Sequence, residues 1–301
     1  MDTQNLILHP DTDWVKIDEN RIQLRQPDGT HITFDKHATD ISNALTALRS
    51  TEMNDVSVDE DIMKQLKELL DSKGLLVQED YSSVSQFQRL MDLHGTSAGK
   101  IDLESIPTSI TFLGDGKLAS LTKESLKKSN IKITDNQDSS SLIIAISDQE
   151  DHKFLRKANA TAVKKNQPIL FFRWAQRKFV IGPFVIPKQT ACLECAYKRE
   201  LGSSLFPDEL KAYSTGDAKN SPSYEGGLVL DNMASALITR HIMTILDGNY
   251  DLAGPSNIVK VDPVYLNIKY SPILRLPRCG VCNNTEDKPK RTIREQFSAK
   301  A

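Results

Sequence analysis

The spacing of apolar positions changes along the chain, and each change predicts an element. Between residues 12 and 35, Trp14-Val15-Lys16-Ile17, Arg21-Ile22-Gln23-Leu24-Arg25 and His31-Ile32-Thr33-Phe34 read as short strands, the last two alternating with period two. Asp18-Glu19-Asn20 and Pro27-Asp28-Gly29 supply the turns between them. The period then lengthens to that of a helix. Ile41, Leu45 and Leu48 share one face, and Val58, Ile62, Leu66 and Leu69/Leu70 form a second stripe. Asp59 and Glu60 stand at the second helix's positive end, and Gly74 stops it before strand-like Leu75-Leu76-Val77. Residues 1–80 therefore predict a winged-helix-like unit.

Residues 81–106 are polar, with Gly95 and Gly99, and read as a linker. From Pro107 the pattern is that of an α/β domain over residues 107–285. Ser109–Leu113, Ile131–Thr134, Ser141–Ile146, Pro168–Phe172 and Phe179–Ile186 are apolar enough for core strands. Helices are expected through Leu118, Leu121 and Leu126, around 151–164 and around 228–246. Such alternation predicts a mostly parallel sheet with helices on both faces. Residues 203–227 read as an exposed crossover, and Val259–Ile268 and Ile273–Leu276 as late strands. The charged tail 286–301 suits disorder.

Composition narrows the function classes. A chain of 301 residues, 39% hydrophobic and 26% charged, is ordinary for about two globular domains. The net charge of −2 offers no reason to bind nucleic acid or an acidic membrane surface. The second helix carries Asp59, Glu60, Asp61, Glu68 and Asp71 against Lys64, Lys67 and Lys73, the wrong balance for phosphate contacts. No apolar run approaches the roughly 20 residues that span a bilayer, and the first residues lack signal-peptide features. A cytoplasmic location is the expectation.

The strongest chemical signal is in the cysteines. All four fall into two Cys-x-x-Cys pairs, Cys192/Cys195 and Cys279/Cys282. Four thiolates can close tetrahedrally on one zinc ion, and four protein ligands leave no position for a reacting water. The expectation is a structural zinc that staples two distant segments. Two redox dithiols or four buried thiols are the alternative.

Gly114-x-Gly116-x-x-Ala119 lies between a strand and a helix, with Asp135 about 20 residues on, the context in which a glycine turn faces nucleotide phosphates. A turn kept for packing fits the same residues, and Asp115 would put a carboxylate where a phosphate approaches. No nucleophile elbow, P-loop or histidine cluster is present, and His241 sits in an apolar helix as a core residue would. No catalytic residue is assigned.

Ile181-Gly-Pro-Phe-Val-Ile-Pro-Lys-Gln-Thr-Ala-Cys-Leu-Glu-Cys195, together with Leu276-Pro-Arg-Cys-Gly-Val-Cys-Asn283, resembles the zinc-bearing half of ThiF-like, ubiquitin-activating-type enzymes. The resemblance covers about residues 107–285, and Asn232 in the late helix also fits. Active adenylating relatives carry an arginine, a lysine and acidic residues between their second and third strands. Here only Asn136–Ser141 follows Asp135 before the next strand, so the resemblance is to a degenerate ThiF-like domain, and ATP is not expected on this chain. The first 80 residues resemble the PqqD-like leader-peptide recognition element. The combination is similar to the McbB-like partner protein of thiazole/oxazole-forming peptide synthetases.

That resemblance implies a leader-peptide-binding, peptide-presenting subunit of a bacteriocin-type cyclodehydratase. Its implied partners are a ribosomal precursor peptide, a YcaO-type ATP-dependent cyclase, often a flavin-dependent dehydrogenase, and a second copy of the chain in a homodimer. The leader would add beside His31, Ile32, Thr33 and Phe34 and rest on the helix bearing Met63, Leu66 and Lys67. The alternative is an ATP-dependent adenylating enzyme acting on a peptide, with Gly114, Gly116 and Asp135 at the nucleotide.

Overall fold

Local hydrogen bonds set the first turns. The Asp18 carboxylate accepts the amides of Asn20 and Arg21 at 2.9 and 2.8 Å, and that of Asp28 accepts the Thr30 amide at 2.9 Å, so the chain reverses twice. The computed structural model describes residues 6–49, 58–83, 86–87, 89–90, 109–127, 131–215 and 222–283. Most of the linker read at 81–106, and all of the tail at 286–301, lies outside the described residues. The chain forms two units, residues 1–96 and 97–301.

The first unit runs β1 (Leu6–Leu8), β2 (Asp13–Lys16), β3 (Ile22–Arg25), β4 (His31–Phe34), α1 (Ala38–Arg49), α2 (Glu60–Ser72) and β5 (Leu76–Gln78). Strands β2, β3 and β4 form an antiparallel meander with β3 in the middle. Strand β1, which the hydrophobic pattern did not reveal, pairs antiparallel with β5. The helices bury Leu45, Leu66 and Leu70 against Leu8, Ile22 and Leu24. Helix α2 starts where Asp59 accepts the amides of Asp61 and Ile62, and it ends at Gly74, whose φ of 65° a side chain would disfavour.

The second unit runs β6 (Ile110–Leu113), α3 (Lys117–Lys127), β7 (Leu142–Ser147), α4 (His152–Lys164), β8 (Ile169–Ala175) and β9 (Lys178–Val185). It continues with α5 (Leu193–Ser203), α6 (Pro207–Thr215), α7 (Leu228–Leu246), α8 (Tyr250–Ala253), β10 (Asn257–Asp262) and β11 (Asn267–Pro272). The strands make one sheet in the order β11-β10-β9-β8-β7-β6. The expectation of a mostly parallel sheet is corrected here. Only β6, β7 and β8 are parallel, and β8 to β11 run antiparallel. The cause is local: Gln176 and Arg177, at φ 53° and 61°, turn β8 straight back into β9, and a parallel return needs a long crossover.

Four smaller readings also change. Residues Ile131–Thr134 contribute one isolated bridge, Ile133 to Ile110, because the chain turns away at Asn136, whose side chain accepts the Asp138 amide. The segment read as a strand at Val259–Ile268 is broken by a turn in which Asp262 accepts the amides of Val264 and Tyr265, and Ile273–Leu276 is no strand. Helix α6 occupies part of the segment read as an exposed crossover at 203–227.

Helices cover both faces of the sheet, as the alternation predicts. Leu142, Ile144, Ile146, Phe172 and Ile181 pack with Leu118 of α3 and Ile238 and Ile242 of α7. Ile143, Ala145 and Phe171 pack with Leu155 of α4 and with the four cysteines. No helix among the described residues is long and apolar enough to cross a membrane. Phe172 is fully buried at the centre of the sheet. Phe172→Ala is therefore expected to cost about 3–5 kcal/mol, read as a lower urea midpoint with little change in slope.

Candidate functional site

Sequence places Cys192 at the N-cap of α5 and Cys195 in its first turn. Cys279 and Cys282 follow β11 in a turn where the Cys279 amide donates to the Leu276 carbonyl at 3.2 Å, and the Asn283 amide donates to the Cys279 carbonyl at 3.1 Å. All four are buried and unbridged by disulfides. Their sulfurs lie within 4.8 Å of one another, with Cys192–Cys195 at 3.9 Å, Cys192–Cys279 at 3.7 Å and Cys195–Cys282 at 3.4 Å. Four sulfurs each about 2.3 Å from a central ion would stand about 3.8 Å apart, so the donor set can hold a metal ion.

The surroundings favour that use. The Leu276 amide donates to Cys195 Sγ at 3.4 Å, an outer hydrogen bond that stabilises thiolate. The N-terminus of α5 adds positive potential beside Cys192 and Cys195. The hydrogen bond from Cys192, then that from Cys282, holds the Cys195 thiol below the usual thiol range, and the Cys192–Cys195 pairing pushes the Cys192 thiol up. Four thiolates this close repel unless a cation sits among them. Glu194 is clamped by Arg156 at 2.9 and 3.1 Å, the Leu193 amide donates to Asn159 Oδ1, and Arg275 donates to the Cys282 and Lys188 carbonyls. These supports fix the cluster's walls from α4 and from the C-terminal segment.

The glycine turn is built differently from a phosphate cradle. Gly114 has φ 105°, and a Cβ there would lie 2.1 Å from the Ile146 carbonyl oxygen. A Cβ on Gly116 would lie 2.5 Å from the Asp148 carboxylate. That carboxylate, at the end of β7, accepts the Lys117 amide at 2.6 Å and the Leu118 amide at 2.9 Å. It therefore takes the amides that an incoming phosphate would use. Asp115, expected to obstruct this position, is exposed, and the obstructing carboxylate is Asp148, which the sequence reading missed. Asp135 is also exposed and follows the single Ile133 bridge, with no bond to this helix end among the described residues.

The returning crossover is fastened over the same end. Lys117 Nζ pairs with Asp231 at 3.2 Å and donates to the Glu225 carbonyl at 3.0 Å, and the Tyr224 hydroxyl donates to Asp231 at 2.8 Å. Burial, then Asp231, pushes the Tyr224 phenol up, so it remains a donor. Asn232 is exposed. His241 is buried, with Nδ1 2.7 Å from the Leu237 carbonyl, and burial lowers its pKa to about 4, leaving a neutral core imidazole.

In the first unit β4 pairs only with β3, so its other edge is open among the described residues. The Gln26 amide donates to the Thr30 carbonyl, and alternation from that bond turns Ile32 and Phe34 amides toward β3 and His31 and Thr33 amides outward. A cavity of about 250 Å³ lies beside this strand, lined by Phe34, His37, Ile41, Ile62, Gln65, Leu66 and Leu69. Two of the expected peptide-contact residues, Phe34 and Leu66, line it. Met63 packs against the buried cluster instead, and Lys67 is exposed outside the lining.

No protein-family model matches the sequence, and no curated protein matches it. Solved structures do share the fold. A heterocyclase in complex with substrate and cofactor superposes with a TM-score of 0.68 at 15% identity, covering 94% of this chain and 40% of that one. The heterocyclase TruD gives 0.64 at 17%, covering 93% and 43%. E. coli MccB with ATP gives 0.56 at 13%, covering 93% of this chain and 100% of that one. The chain thus spans less than half of each heterocyclase and the full length of MccB. At these identities the likeness is one of fold.

Removal of any one cysteine leaves three sulfurs and an open position. Purified protein is expected to carry one tightly held metal ion per chain by inductively coupled plasma mass spectrometry. Cys279→Ser should reduce that content severalfold and lower stability by several kcal/mol, because metal binding and folding are coupled. Asp148→Ala should cost about 0.5–2 kcal/mol in urea unfolding through loss of the α3 cap.

Proposed function

We propose that this chain is the precursor-peptide-binding and peptide-presenting subunit of a ribosomal-peptide heterocyclase complex. The carrying observation is the open β4 edge beside an apolar cavity. An extended peptide added there would satisfy the outward amides of His31 and Thr33 and drop one apolar side chain against Phe34, Ile62, Leu66 and Leu69. In this reading residues 1–80 are a winged-helix-like, PqqD-like recognition element, 81–106 a linker and 107–285 a degenerate ThiF-like domain. The likeness to heterocyclase folds supports it, as does Asp148 on the α3 amides, which leaves ATP chemistry to another subunit.

The four cysteines would hold zinc, chosen because a closed, buried all-thiolate set suits that ion. The zinc would supply a structural cross-link and no reaction step. The partners would be the precursor's leader peptide, a YcaO-type cyclase that forms the thiazoles and oxazoles, a flavin-dependent dehydrogenase and a second copy of this chain. Binding raises the effective concentration of a flexible substrate at the cyclase's active site. The complex would work in the cytoplasm.

A second reading, ATP-dependent adenylation of a peptide, draws on the full-length match to MccB, one of whose structures contains ATP. It needs the α3 amides that Asp148 occupies. Magnesium-dependent ATP–pyrophosphate exchange with a cognate peptide would establish it.

The edge is tested by fluorescence polarisation with a labelled leader segment encoded beside this chain's gene. Micromolar or tighter binding is expected. Thr33→Pro removes an outward amide without touching the β3–β4 ladder and should weaken binding at least about tenfold, whereas Ile32→Pro cuts the ladder itself. Leader affinity unchanged in Thr33→Pro would rule out strand addition at β4.

A further inference from the structure

A cavity of about 720 Å³ lies beside the cysteine cluster. Three walls meet there. The last turn of α4 contributes Val163 and Lys164, the turn after β9 contributes Pro187 and Lys188, and the second Cys-x-x-Cys turn contributes Gly280 and Cys282. Cys282 is the one cysteine of the four that lines the cavity. It is 7% exposed, whereas Cys192, Cys195 and Cys279 are fully buried. A ligand arriving from solvent therefore meets Cys282 first. A Cβ added at Gly280 would find nothing within 4 Å, so open space lies beside this turn.

The charge of the cavity is one-sided. Lys164, Lys188 and Arg275 line it, and no carboxylate is among its described lining residues. Arg275 is fixed in place, donating through Nη1 to the Lys188 carbonyl and through Nη2 to the Cys282 carbonyl. Lys164 and Lys188 are exposed and make no ion pair among the described residues. Lys165, one residue on, is held by Asp138.

Cations around one opening raise the local concentration of anions and speed their arrival, an effect that salt screens. Four thiolates around a divalent ion keep a net negative charge, which by itself would repel an anionic ligand. The basic lining offsets that repulsion on the approach that leads to Cys282.

We propose that this cavity is the port for ion exchange at the cysteine cluster, and that it admits small thiols bearing carboxylates. Lys164 and Lys188 would hold the carboxylates, and Cys282 would be the sulfur that gives way. The incoming thiol binds the ion as a thiolate, its proton passes to the Cys282 sulfur as that bond breaks, and no electron is transferred. Such a port presupposes the zinc reading of the cluster and is independent of peptide binding at β4.

The test uses the full-length protein as purified, at about 0.01 M and about 1 M salt. Release of the ion to the anionic chelator EDTA and to the uncharged chelator TPEN is followed by elemental mass spectrometry of the desalted protein. Lys164→Gln combined with Lys188→Gln is expected to slow EDTA-driven release severalfold at low salt. The same variant should leave TPEN-driven release unchanged and have no effect at high salt. Lys127→Gln removes an exposed charge from α3, which packs on the opposite face of the sheet, and should change neither rate. If the lysines only neutralise the thiolates, the double variant loses its ion faster to both chelators, which would overturn the port.

Alkylation supplies an arm that needs no metal. Iodoacetate and the uncharged iodoacetamide are compared, with the modified cysteines mapped by peptide mass. Cys282 is expected to react first, and the double variant to slow iodoacetate alone. First modification at Cys192, Cys195 or Cys279, or equal slowing of both reagents, would also overturn the port. Protein that carries no ion yet reacts first at Cys282 in this charge-dependent way would refute the zinc reading and retain the cavity as an anion-admitting route to a free thiol.

Discussion

The larger unit brings four buried sulfurs from two distant segments together. Cys192 and Cys279 are 87 residues apart, and the segment between them holds α5, α6, α7, α8, β10 and β11. Closing a loop of that length costs chain entropy, which a cross-link between its ends would offset. A metal among the four thiolates would provide one, and the cysteines at both ends of the segment lie on the same face of the sheet. The β10–β11 hairpin then joins β9 under constraint from two directions, by its own ladder and by the cysteines that follow it. The hydrogen bonds donated by Arg275 and by the Leu276 amide, and the one that Asn159 accepts from the Leu193 amide, support that closure.

The second constraint lies at the N-terminus of α3. Gly114 and Gly116 allow close backbone approach, and here the group that approaches is Asp148 of the same chain. An internal carboxylate is present at high effective concentration, whereas a phosphate must displace it and leave it to be solvated or paired elsewhere. The same glycine spacing that signals nucleotide binding thus serves strand-to-helix packing. Lys117 reinforces the arrangement, since its side chain is committed to Asp231 and the Glu225 carbonyl rather than to an external anion.

Much of this was legible in the sequence because the signals were local. Helices α1, α2, α4 and α7 follow their apolar stripes, and the Cys-x-x-Cys spacing identified the four residues whose sulfurs converge. What failed was information carried by pairing. The alternating strands around Gln176-Arg177 gave parallel neighbours on pattern alone, although two residues leave no room for a crossover. Strand β1 is three residues long, too short for a period to appear, and exists because β5 accepts it. Asp148 was visible only as the end of a strand, since its role depends on a helix that starts about 30 residues earlier. The outward amides of His31 and Thr33 likewise follow from register, which no single strand encodes.

Register also separates the sheet edges as places where a peptide could add. The outer side of β6 is occupied by the bridge to Ile133 and by the bonds between Ile110, Lys132 and Thr134. Strand β11 ends in Pro272, which has no amide to donate, and carries Lys269 at its middle, two features that discourage an added strand. Strand β2 sets Trp14 under Arg49 and ties Lys16 to Thr39, so its inner side chains are spent on α1. Strand β4 differs in that Phe34 opens onto a cavity shared with α1 and α2. An edge supplies hydrogen bonds that every sequence can use, and only a neighbouring pocket makes one sequence preferable to another. Selective capture of an extended chain would require both in one place, and of these four edges β4 combines them.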